Sequence, residues 1–503
     1  MSNTLDSPSF RWARYTQGLC LASTTVLCLG CWTLSASAEE TTPESWRIIR
    51  AAGPDLAVIG RLRTRTAGQI ESTPWSVGCE TLDRDYTVYD NYRAYVGPLG
   101  AKAARIQAGW GKCEKVKGQY DWAWLDHVID DLNAQGVRPW VCICYGNEIY
   151  EGGGTRLLGG KLPSSDEALA AWQRWVETMA NRYKGRVFEW EVWNEPEWGY
   201  SSRMKEELRA ERLGQYVTMY LRTAETIRAI DPKAKMWAVA ACHPRALFIP
   251  DFLEAMSNRD KLHLVDAITY HAYTVRPEDH YPGVEVLRQT VARYSDRIEI
   301  RQGESGCPSV RHEVHALSKQ PWTEFNQPKW YLRRMLGDRV RGIPPSVFAI
   351  VDIRYPNVLL SMGLLRANDQ KEVLYKKPAY YAVQHLMSIL DGTAHPMKQV
   401  EFKAAANPDL QVAGFTKGGG SLVFVWKAPP GIPSDDLAWT PIELTLETVA
   451  SSDPVYVELM SGNVYELDAG RWRTSAQGTV FTELPVRDSP ILIAERATVD
   501  LNQ

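Results

Sequence analysis

The stretch that decides the fold is residues 164–197, SSDEALAAWQRWVETMANRYKGRVFEWEVWNEPE. Apolar residues recur in its first half at the three- and four-residue spacing of one helix face: Leu169, Trp172, Val176, Met179 and Tyr183. Ser164 and Glu167 predict a capping box at the start of this helix, and Gly185 predicts its end. Val187–Trp193 then forms a short apolar run that is typical of a buried strand. The stretch therefore predicts one helix–strand unit of a parallel sheet.

The same alternation continues on both sides of this unit, from residue 73 to residue 393. The strand candidates are Trp75–Cys79, Ala103–Ala108, Arg138–Cys144, Val187–Trp193, Lys235–Ala241, Ala267–Tyr270, Arg297–Gln302 and Ser346–Asp352. Eight strands separated by helical stretches fit a closed sheet better than an open one. We therefore predict an α/β fold, a (β/α)8 TIM barrel, over residues 73–393.

The sequence changes character after a last helix that is expected to end near Leu390. Alternating strands separated by Gly, Pro and Asp turns follow: Leu422–Val425, Ile442–Leu446, Val455–Leu459, Val480–Leu484 and Ile491–Ile493. This pattern predicts a C-terminal antiparallel β-sandwich over residues 394–503. Residues 39–72 precede the barrel as an N-terminal extension. Its strand-like part, Leu56–Thr64, is expected either to pair with the sandwich or to close the floor of the barrel.

The first 38 residues have the pattern of a signal peptide. Arg11 and Arg14 form a basic start, Gly18–Leu34 is apolar, and Ala36-Ser37-Ala38 supplies the small residues of a cleavage site before Glu39. The apolar run is short for a membrane span. We therefore expect an exported protein, periplasmic or secreted.

Charge and composition narrow the class of partner. The formal net charge is -3 and no long run of Lys or Arg occurs, which argues against nucleic acid or an anionic membrane as the main partner. Tryptophan (19) outnumbers phenylalanine (10). The excess indicates either a tryptophan-rich core or flat platforms for a ligand with apolar faces, such as a sugar.

The sequence motifs that would indicate a metal, a nucleotide cofactor or a CxxC site are incomplete or missing. His312-Glu313-Val314-His315 is one residue short of the HExxH zinc motif, so we expect no catalytic metal. No GxGxxG opens a helix, so no nicotinamide or flavin cofactor is expected. Cys142-Ile143-Cys144 lacks the CxxC spacing, and six cysteines after residue 38 are too few for a disulfide scaffold.

Two glutamates stand where a barrel places its active site. Loops at the carboxyl ends of the strands build that site, and strand four runs into Glu195 while strand seven runs into Glu304. Strands four and seven face each other across a barrel. Glycoside hydrolysis needs such a pair, one carboxyl to protonate the leaving oxygen and one to attack the anomeric carbon or activate water.

The residues around both glutamates resemble a known group of enzymes. Trp193-Asn194-Glu195-Pro196 and Gly303-Glu304-Ser305-Gly306 are similar to the motifs of glycoside hydrolase clan A, and the chain resembles most its family 39, with β-xylosidases and α-L-iduronidases. The resemblance implies that Glu195 is the general acid/base and Glu304 the nucleophile. It also implies retention of configuration, with carboxylates about 5 Å apart.

The resemblance also implies roles for four neighbouring residues. Asn194 is expected to hydrogen-bond the sugar 2-hydroxyl, and Arg105 on strand two to hold Glu304 ionised. His271 and Tyr273, after strand six, are expected to flank the nucleophile. The residues alone leave open that Arg105 is a structural ion-pair partner and that His271 is an ordinary core histidine.

Other candidates rest only on their position near strand ends. Trp110, Tyr145 and Glu80 are expected to line subsites for the substrate. Glu189 and Glu191 share the side of strand four that carries Glu195, so one of them can be a buried structural acid instead.

Strand eight departs from the clan pattern, because no tryptophan follows it. The stretch reads Val351-Asp352-Ile353-Arg354-Tyr355, which makes Asp352 or Arg354 a candidate contact for a polar or charged sugar. The sequence as a whole predicts a retaining O-glycoside hydrolase that acts on an extracellular or periplasmic oligo- or polysaccharide. The alternatives are a carbohydrate-binding barrel without catalysis and a transglycosylase that uses the same residues.

Overall fold

The computed structural model describes residues 42–404, 407–447, 449–475 and 478–502. The predicted signal peptide and its three cysteines lie outside these residues. In the described part of the chain, no helix is both long enough and apolar enough to cross a lipid bilayer.

Eight parallel strands follow one another around a barrel in chain order. Barrel strands one to eight are Ser76–Gly78, Ala103–Gln107, Arg138–Ile143, Glu189–Val192, Lys235–Ala241, Ala267–His271, Glu299–Glu304 and Ser346–Val347. Strand eight pairs with strand one, and a bridge between Ser305 and Val347 joins strand seven to strand eight, so the sheet closes. The predicted TIM barrel is confirmed, although strand eight is shorter than the predicted Ser346–Asp352.

Helices connect the strands and surround the barrel. The α-helices are Glu44–Ala51, Tyr89–Tyr92, Val96–Leu99, Trp110–Cys113, Ala123–Ala134, Asp166–Tyr183, Glu206–Ile230, Phe248–Ser257, Tyr281–Ala292, Asn326–Val340 and Pro378–Ile389. Short 3-10 turns occur at Leu82–Arg84, Arg93–Tyr95, Leu262–Leu264, Pro277–His280 and Arg496–Thr498.

The helix before strand four begins one residue later than the predicted capping box requires. Its N-cap is Ser165, whose Oγ accepts the backbone N–H of Ala168 at 3.1 Å. The prediction of Ser164 as the cap is wrong, because the neighbouring serine reaches the free amide of the first turn. The predicted inward face of this helix is buried against the barrel.

Two pairs of short antiparallel strands follow strand eight. Ile353–Tyr355 pairs with Val358–Leu360, and Leu365–Ala367 pairs with Val373–Lys376. The sequence did not predict these hairpins. The first of them lies over the open end of the barrel.

The C-terminal region consists of two antiparallel sheets, as predicted. The larger has the strand order His395–Pro396, Leu410–Lys417, Gly420–Lys427, Ile491–Glu495, Pro454–Glu458, Asn463–Glu466, Val58–Leu62 and Leu501–Asn502. The smaller has the order Phe402–Lys403, Thr440–Leu446, Gly478–Val486 and Trp472–Ser475. The strand from the N-terminal extension thus lies in the larger sheet, antiparallel to Asn463–Glu466.

The larger sheet is buried on both faces. Side chains alternate along Gly420–Lys427: Leu422 and Phe424 belong to the core shared with the barrel, whereas Val423 and Val425 belong to the core between the two sheets. Because successive side chains of a strand point to opposite faces, an apolar residue at every position fits a strand that is covered on both sides.

Helix Asn326–Val340 lies where the barrel meets the sandwich, and all its residues except Val340 are buried. Most of its charged side chains form ion pairs. Lys329 Nζ lies 2.6 Å from Asp488 Oδ1 of the sandwich, and Arg333 donates to Glu278 after strand six. Unpaired charges at such depth would be strongly unfavourable, so these pairs fix the position of the helix.

Candidate active site

Arg105, on barrel strand two, lies at the centre of the site and has no exposed surface. Its Nε donates to Glu191 at 2.7 Å and its Nη2 donates to Asn194 Oδ1 at 2.7 Å. Its Nη1 donates to both Glu304 at 2.7 Å and Glu80 at 2.9 Å. One guanidinium therefore connects residues from strands one, four and seven. Arg105 is both an ion-pair partner inside the barrel and a neighbour of the predicted nucleophile.

The charges around Arg105 separate the protonation states of two carboxyls. Burial raises the pKa of Glu80 to about 7, although Arg105 opposes the shift. Burial also raises the pKa of Glu304, but the charges of His271 and Arg105 and a hydrogen bond from Tyr273 outweigh it and hold that pKa below its ordinary value. Near neutral pH Glu304 is therefore ionised, which is the state that a nucleophile requires, whereas Glu80 is partly protonated.

His271 stands between the two predicted catalytic carboxylates. Its Nδ1 lies 2.8 Å from Glu195 Oε1 and 3.5 Å from Glu304 Oε2. Burial lowers the pKa of His271, but the charges of Glu304 and Glu195 outweigh burial and raise the pKa above its ordinary value. Because one nitrogen is close to both oxygens, those two oxygens are at most 6.3 Å apart, which is below the range of inverting enzymes. Tyr273 Oη donates to Glu304 Oε2 at 2.8 Å.

The backbone after strand four turns sharply to aim Glu195 into the barrel mouth. Trp193 and Glu195 have φ angles of 68° and 50°, a region that residues other than glycine seldom occupy. The N–H of Glu195 donates to the carbonyl of Ala240, in strand five, at 3.2 Å. Backbone strain of this kind persists where the surrounding structure imposes it, which is common at active sites.

A cavity of about 320 Å³ opens above these groups. It is lined by Glu80, Thr81, Arg84, Gln107, Tyr145, Leu158, Asn194, Glu195, Trp198, Cys242, Tyr273, Glu304, His315, Ala316, Phe348, Tyr355, Leu360 and Met362. A larger hollow of about 490 Å³ lies beside Glu299, at the opposite end of strand seven. Since barrel enzymes carry their chemistry at the carboxyl ends of the strands, the smaller cavity is the candidate active site.

Comparison with known proteins finds a family match over the part of the chain that contains these residues. The model of Glycosyl hydrolases family 39 matches residues 105–304, which begin at the central arginine and end at the candidate nucleophile. The resemblance to glycoside hydrolase family 39 is confirmed. The match covers barrel strands two to seven.

The individual relatives of this chain are distant in sequence. A β-xylosidase of Geobacillus stearothermophilus is 24% identical over 223 residues, an alignment that spans 41% of this chain and only 39% of that enzyme. The structure of a family 39 glycoside hydrolase from Bacteroides cellulosilyticus WH2 matches 85% of this chain and 81% of its own, with a TM-score of 0.62 and 18% identity. A monomeric β-xylosidase from Caulobacter crescentus CB15 matches 87% of this chain and 97% of its own, with a TM-score of 0.58 and 16% identity. At these identities the structures establish the fold.

Trp110 does not line the cavity, and the prediction that it forms a subsite is wrong. Its side chain is fully buried, its Nε1 donates to Glu114, and its ring stacks on Tyr150 with centroids 5.4 Å apart. Gly109, with a φ of 59°, turns the chain into a short helix that directs the indole into the core. Tyr145, Glu80, Asn194 and Tyr273 do line the cavity.

Neither polar residue after strand eight reaches the cavity. Asp352 is buried and accepts a hydrogen bond from Lys377 at 2.6 Å, and Arg354 pairs with Asp369 at 3.0 Å. The expectation of a polar or charged sugar contact at these positions is wrong, because each side chain is engaged elsewhere. Phe348 and Tyr355 supply aromatic surface there instead.

Both histidines of the HEVH stretch contact other side chains. His312 Nε2 lies 2.7 Å from Ser361 Oγ, and His315 stacks on Tyr355. In the described ranges, no group of three or more His, Cys, Asp or Glu side chains is arranged to hold a metal ion. The six cysteines after residue 38 are all free in the structure: Cys79, Cys113, Cys142, Cys144, Cys242 and Cys307.

Glu197 is an acid of the site that the sequence did not single out. Its side chain is 5% exposed and accepts the backbone N–H of Cys242, which lines the cavity. Burial raises the pKa of Glu197 to about 7, and the charge of Glu195 adds to the shift. The only available sequence signal was its place two residues after Glu195.

Glu197 makes the stability of the protein depend on pH. A carboxyl whose pKa is higher in the folded than in the unfolded chain stabilises the fold when protonated, and this contribution is lost as the pH rises from about 4.5 to 7. Glu197→Gln should therefore gain up to about 3 kcal/mol relative to wild type between pH 5 and pH 8. Urea unfolding at both pH values measures the difference. The exposed Glu285→Gln should show no such trend, and a parallel pH dependence in Glu197→Gln and wild type would contradict the assignment.

Proposed function

We propose that the chain is a retaining glycosidase in which Glu304 attacks the anomeric carbon and Glu195 protonates the departing oxygen. The observation that carries the proposal is the position of His271 Nδ1, 2.8 Å from Glu195 and 3.5 Å from Glu304. Inverting enzymes keep their carboxyl groups roughly 6.5–9.5 Å apart to admit a water molecule, whereas double displacement uses a shorter separation. The family 39 match supports glycosidase as the class of activity.

In the first step, the ionised Glu304 forms an ester bond to the anomeric carbon while the bond to the leaving oxygen breaks. Glu195 gives its proton to that oxygen. Arg105 and Tyr273 hold Glu304 in position through hydrogen bonds of 2.7 and 2.8 Å. When the ester neutralises Glu304, Arg105 remains paired with Glu80 and Glu191, so the guanidinium is never left unpaired in the barrel.

In the second step, water takes the place of the leaving group beside Glu195. Glu195, now a carboxylate, removes a proton from this water as its oxygen attacks the anomeric carbon. The ester bond breaks and Glu304 leaves as a carboxylate. The same side chain thus serves first as acid and then as base.

Two polar residues are placed to hold the sugar. Asn194 Oδ1 is occupied by Arg105, so its Nδ2, which lies 3.0 Å from Tyr145 Oη, is the group that can donate to a sugar hydroxyl. Glu80 Oε2 is buried and has no hydrogen-bond partner among the residues that the structure describes. A sugar hydroxyl would satisfy it.

The substrate proposal follows from the relatives and from the predicted signal peptide. Two relatives are described as β-xylosidases, so β-xylosides are the first substrates to test. Export, predicted from residues 1–38, would place the enzyme with extracellular or periplasmic oligo- or polysaccharides.

The test is a screen of the purified protein on aryl glycosides and plant or algal polysaccharides, followed by proton NMR of the first anomer formed from an active substrate. Retention of configuration is expected, and an inverted first product would refute double displacement. Products that carry an added sugar at high acceptor concentration would identify a transglycosylase. Glycan binding without any hydrolysis would identify a carbohydrate-binding barrel.

A further inference from the structure

Trp198 is the most exposed tryptophan that the structure describes. Its side chain is 53% exposed, whereas the other tryptophans in the described ranges are buried or half-buried. Leaving an indole in water forgoes one of the largest hydrophobic gains available to a side chain. An indole that remains exposed at the edge of a cavity is therefore suited to contact a ligand with an apolar face.

Trp198 lies on the acid/base side of the cavity. It follows Glu195 by three residues, and its backbone N–H closes a turn onto the Glu195 carbonyl at 3.2 Å. Its side chain lines the same cavity as both catalytic carboxylates. Because the general acid contacts the oxygen of the leaving group, the surface beyond Glu195 is where the leaving group lies.

A second loop supports the indole. A Cβ on Gly159 would lie 2.7 Å from the Trp198 ring, so only glycine allows this loop to approach so closely. Leu158, which precedes it, is 40% exposed and also lines the cavity. The two loops together present a narrow apolar ridge at the cavity edge.

A second hollow, whose lining mixes polar side chains with the apolar Leu162, Met204 and Leu208, lies behind this ridge. Its volume is about 380 Å³, and its lining includes Lys161, Ser164, Glu211 and Gln215. Lys161 is two residues beyond Gly159, and Arg212, which also lines the hollow, donates to the carbonyl of Pro196 beside Glu195. Charged and amide groups set among apolar side chains suit the mixed surface of a sugar.

We propose that Trp198 is the platform on which the first sugar of the leaving group stacks, and that the hollow behind it receives the following sugar. The inference rests on the proposed glycosidase function and deepens it. The preferred substrate is then an oligosaccharide or polysaccharide chain, and the glycoside of a small alcohol is a poor substrate. Binding energy on this side of the cavity lowers the barrier of the first step, since remote contacts contribute to kcat/KM.

The experiment compares wild type, Trp198→Ala and Trp198→Phe on substrates that differ only in the leaving group. These are the glycosyl fluoride, the disaccharide and the tetrasaccharide of one sugar, beginning with xylose. The fluoride has no ring to stack. We expect Trp198→Ala to lower kcat/KM for the two oligosaccharides by roughly 10- to 100-fold and for the fluoride by less than about twofold. Trp198→Phe should fall between the two, because it keeps an aromatic face.

Phe188→Ala is the matched control, since Phe188 is 40% exposed just before strand four, at the end opposite to Glu195. It should leave all three substrates unaffected. An equal loss of kcat/KM on the fluoride and on the oligosaccharides would refute the proposal. It would mean that Trp198 stabilises the backbone turn that carries Glu195 and does not contact the leaving group. Unchanged kinetics on every substrate would overturn the proposal as well.

A binding measurement separates this inference from the proposed function. If wild type hydrolyses none of the substrates, the glycosidase proposal fails, and calorimetric titration with xylotetraose then decides the platform. Weaker binding by Trp198→Ala than by wild type and Phe188→Ala would support the platform. Equal affinities, or no binding by any of the three, would refute it.

Discussion

Replacement of Glu304 by alanine is expected to lower kcat on an activated aryl glycoside by roughly 10⁴-fold or more, because no other group can form the ester. Added azide should restore turnover by occupying the space that the carboxylate leaves, and the product should then have inverted configuration. Steady-state rates and NMR of the glycosyl azide measure both effects. Unchanged activity in Glu304→Ala would remove Glu304 from its role.

The fold should tolerate this change. Arg105 keeps Glu80 and Glu191 as partners, so removal of Glu304 leaves no isolated buried charge. Glu299→Ala is the matched control, because Glu299 lies at the other end of the same strand and is exposed. It should keep wild-type activity, and both variants should give the circular dichroism spectrum of wild type.

Replacement of Glu195 by alanine should have an effect that depends on the leaving group. For a poor leaving group, loss of the general acid is expected to lower kcat/KM by about 10²- to 10⁴-fold. For a phenol of low pKa the loss should be far smaller, since that oxygen departs without a proton. A plot of log kcat/KM against the pKa of the leaving phenol should therefore become steeper than for wild type.

The control for this series is Glu189→Ala, at the amino end of strand four. This variant should cause only a small loss of kcat/KM, and the loss should be the same for all leaving groups. A loss in Glu195→Ala that is uniform across the phenols would mean that Glu195 positions the substrate and does not transfer the proton.

Much of the fold could be predicted because its signals are local. Most barrel strands are short runs rich in apolar residues that differ from the helical spacing on either side, and the eight predicted strands overlap the eight observed ones. The two glutamates could be placed on one rim for the same reason, since each directly follows such a run. Asn194 and Pro196, on either side of Glu195, completed the motif that identified Glu195 as a catalytic candidate.

The errors concern the direction of side chains, which a local pattern does not contain. Trp110 follows a strand as expected, but the chain turns at Gly109 and buries the indole. Asp352 is engaged by Lys377, 25 residues later in the chain. The sequence did not single out Trp198, because it differs from the other tryptophans only in its solvent exposure. Solvent exposure depends on the whole fold.

The helix between barrel and sandwich limits which domains can be joined to this barrel. Lys329 donates hydrogen bonds to Asp488 and to the backbone carbonyls of Ser434 and Asp436, all of them in loops of the C-terminal region. A chimera that joined this barrel to the accessory domain of another protein would bury a lysine without its acceptors. We therefore expect the barrel and the sandwich to unfold as one cooperative unit.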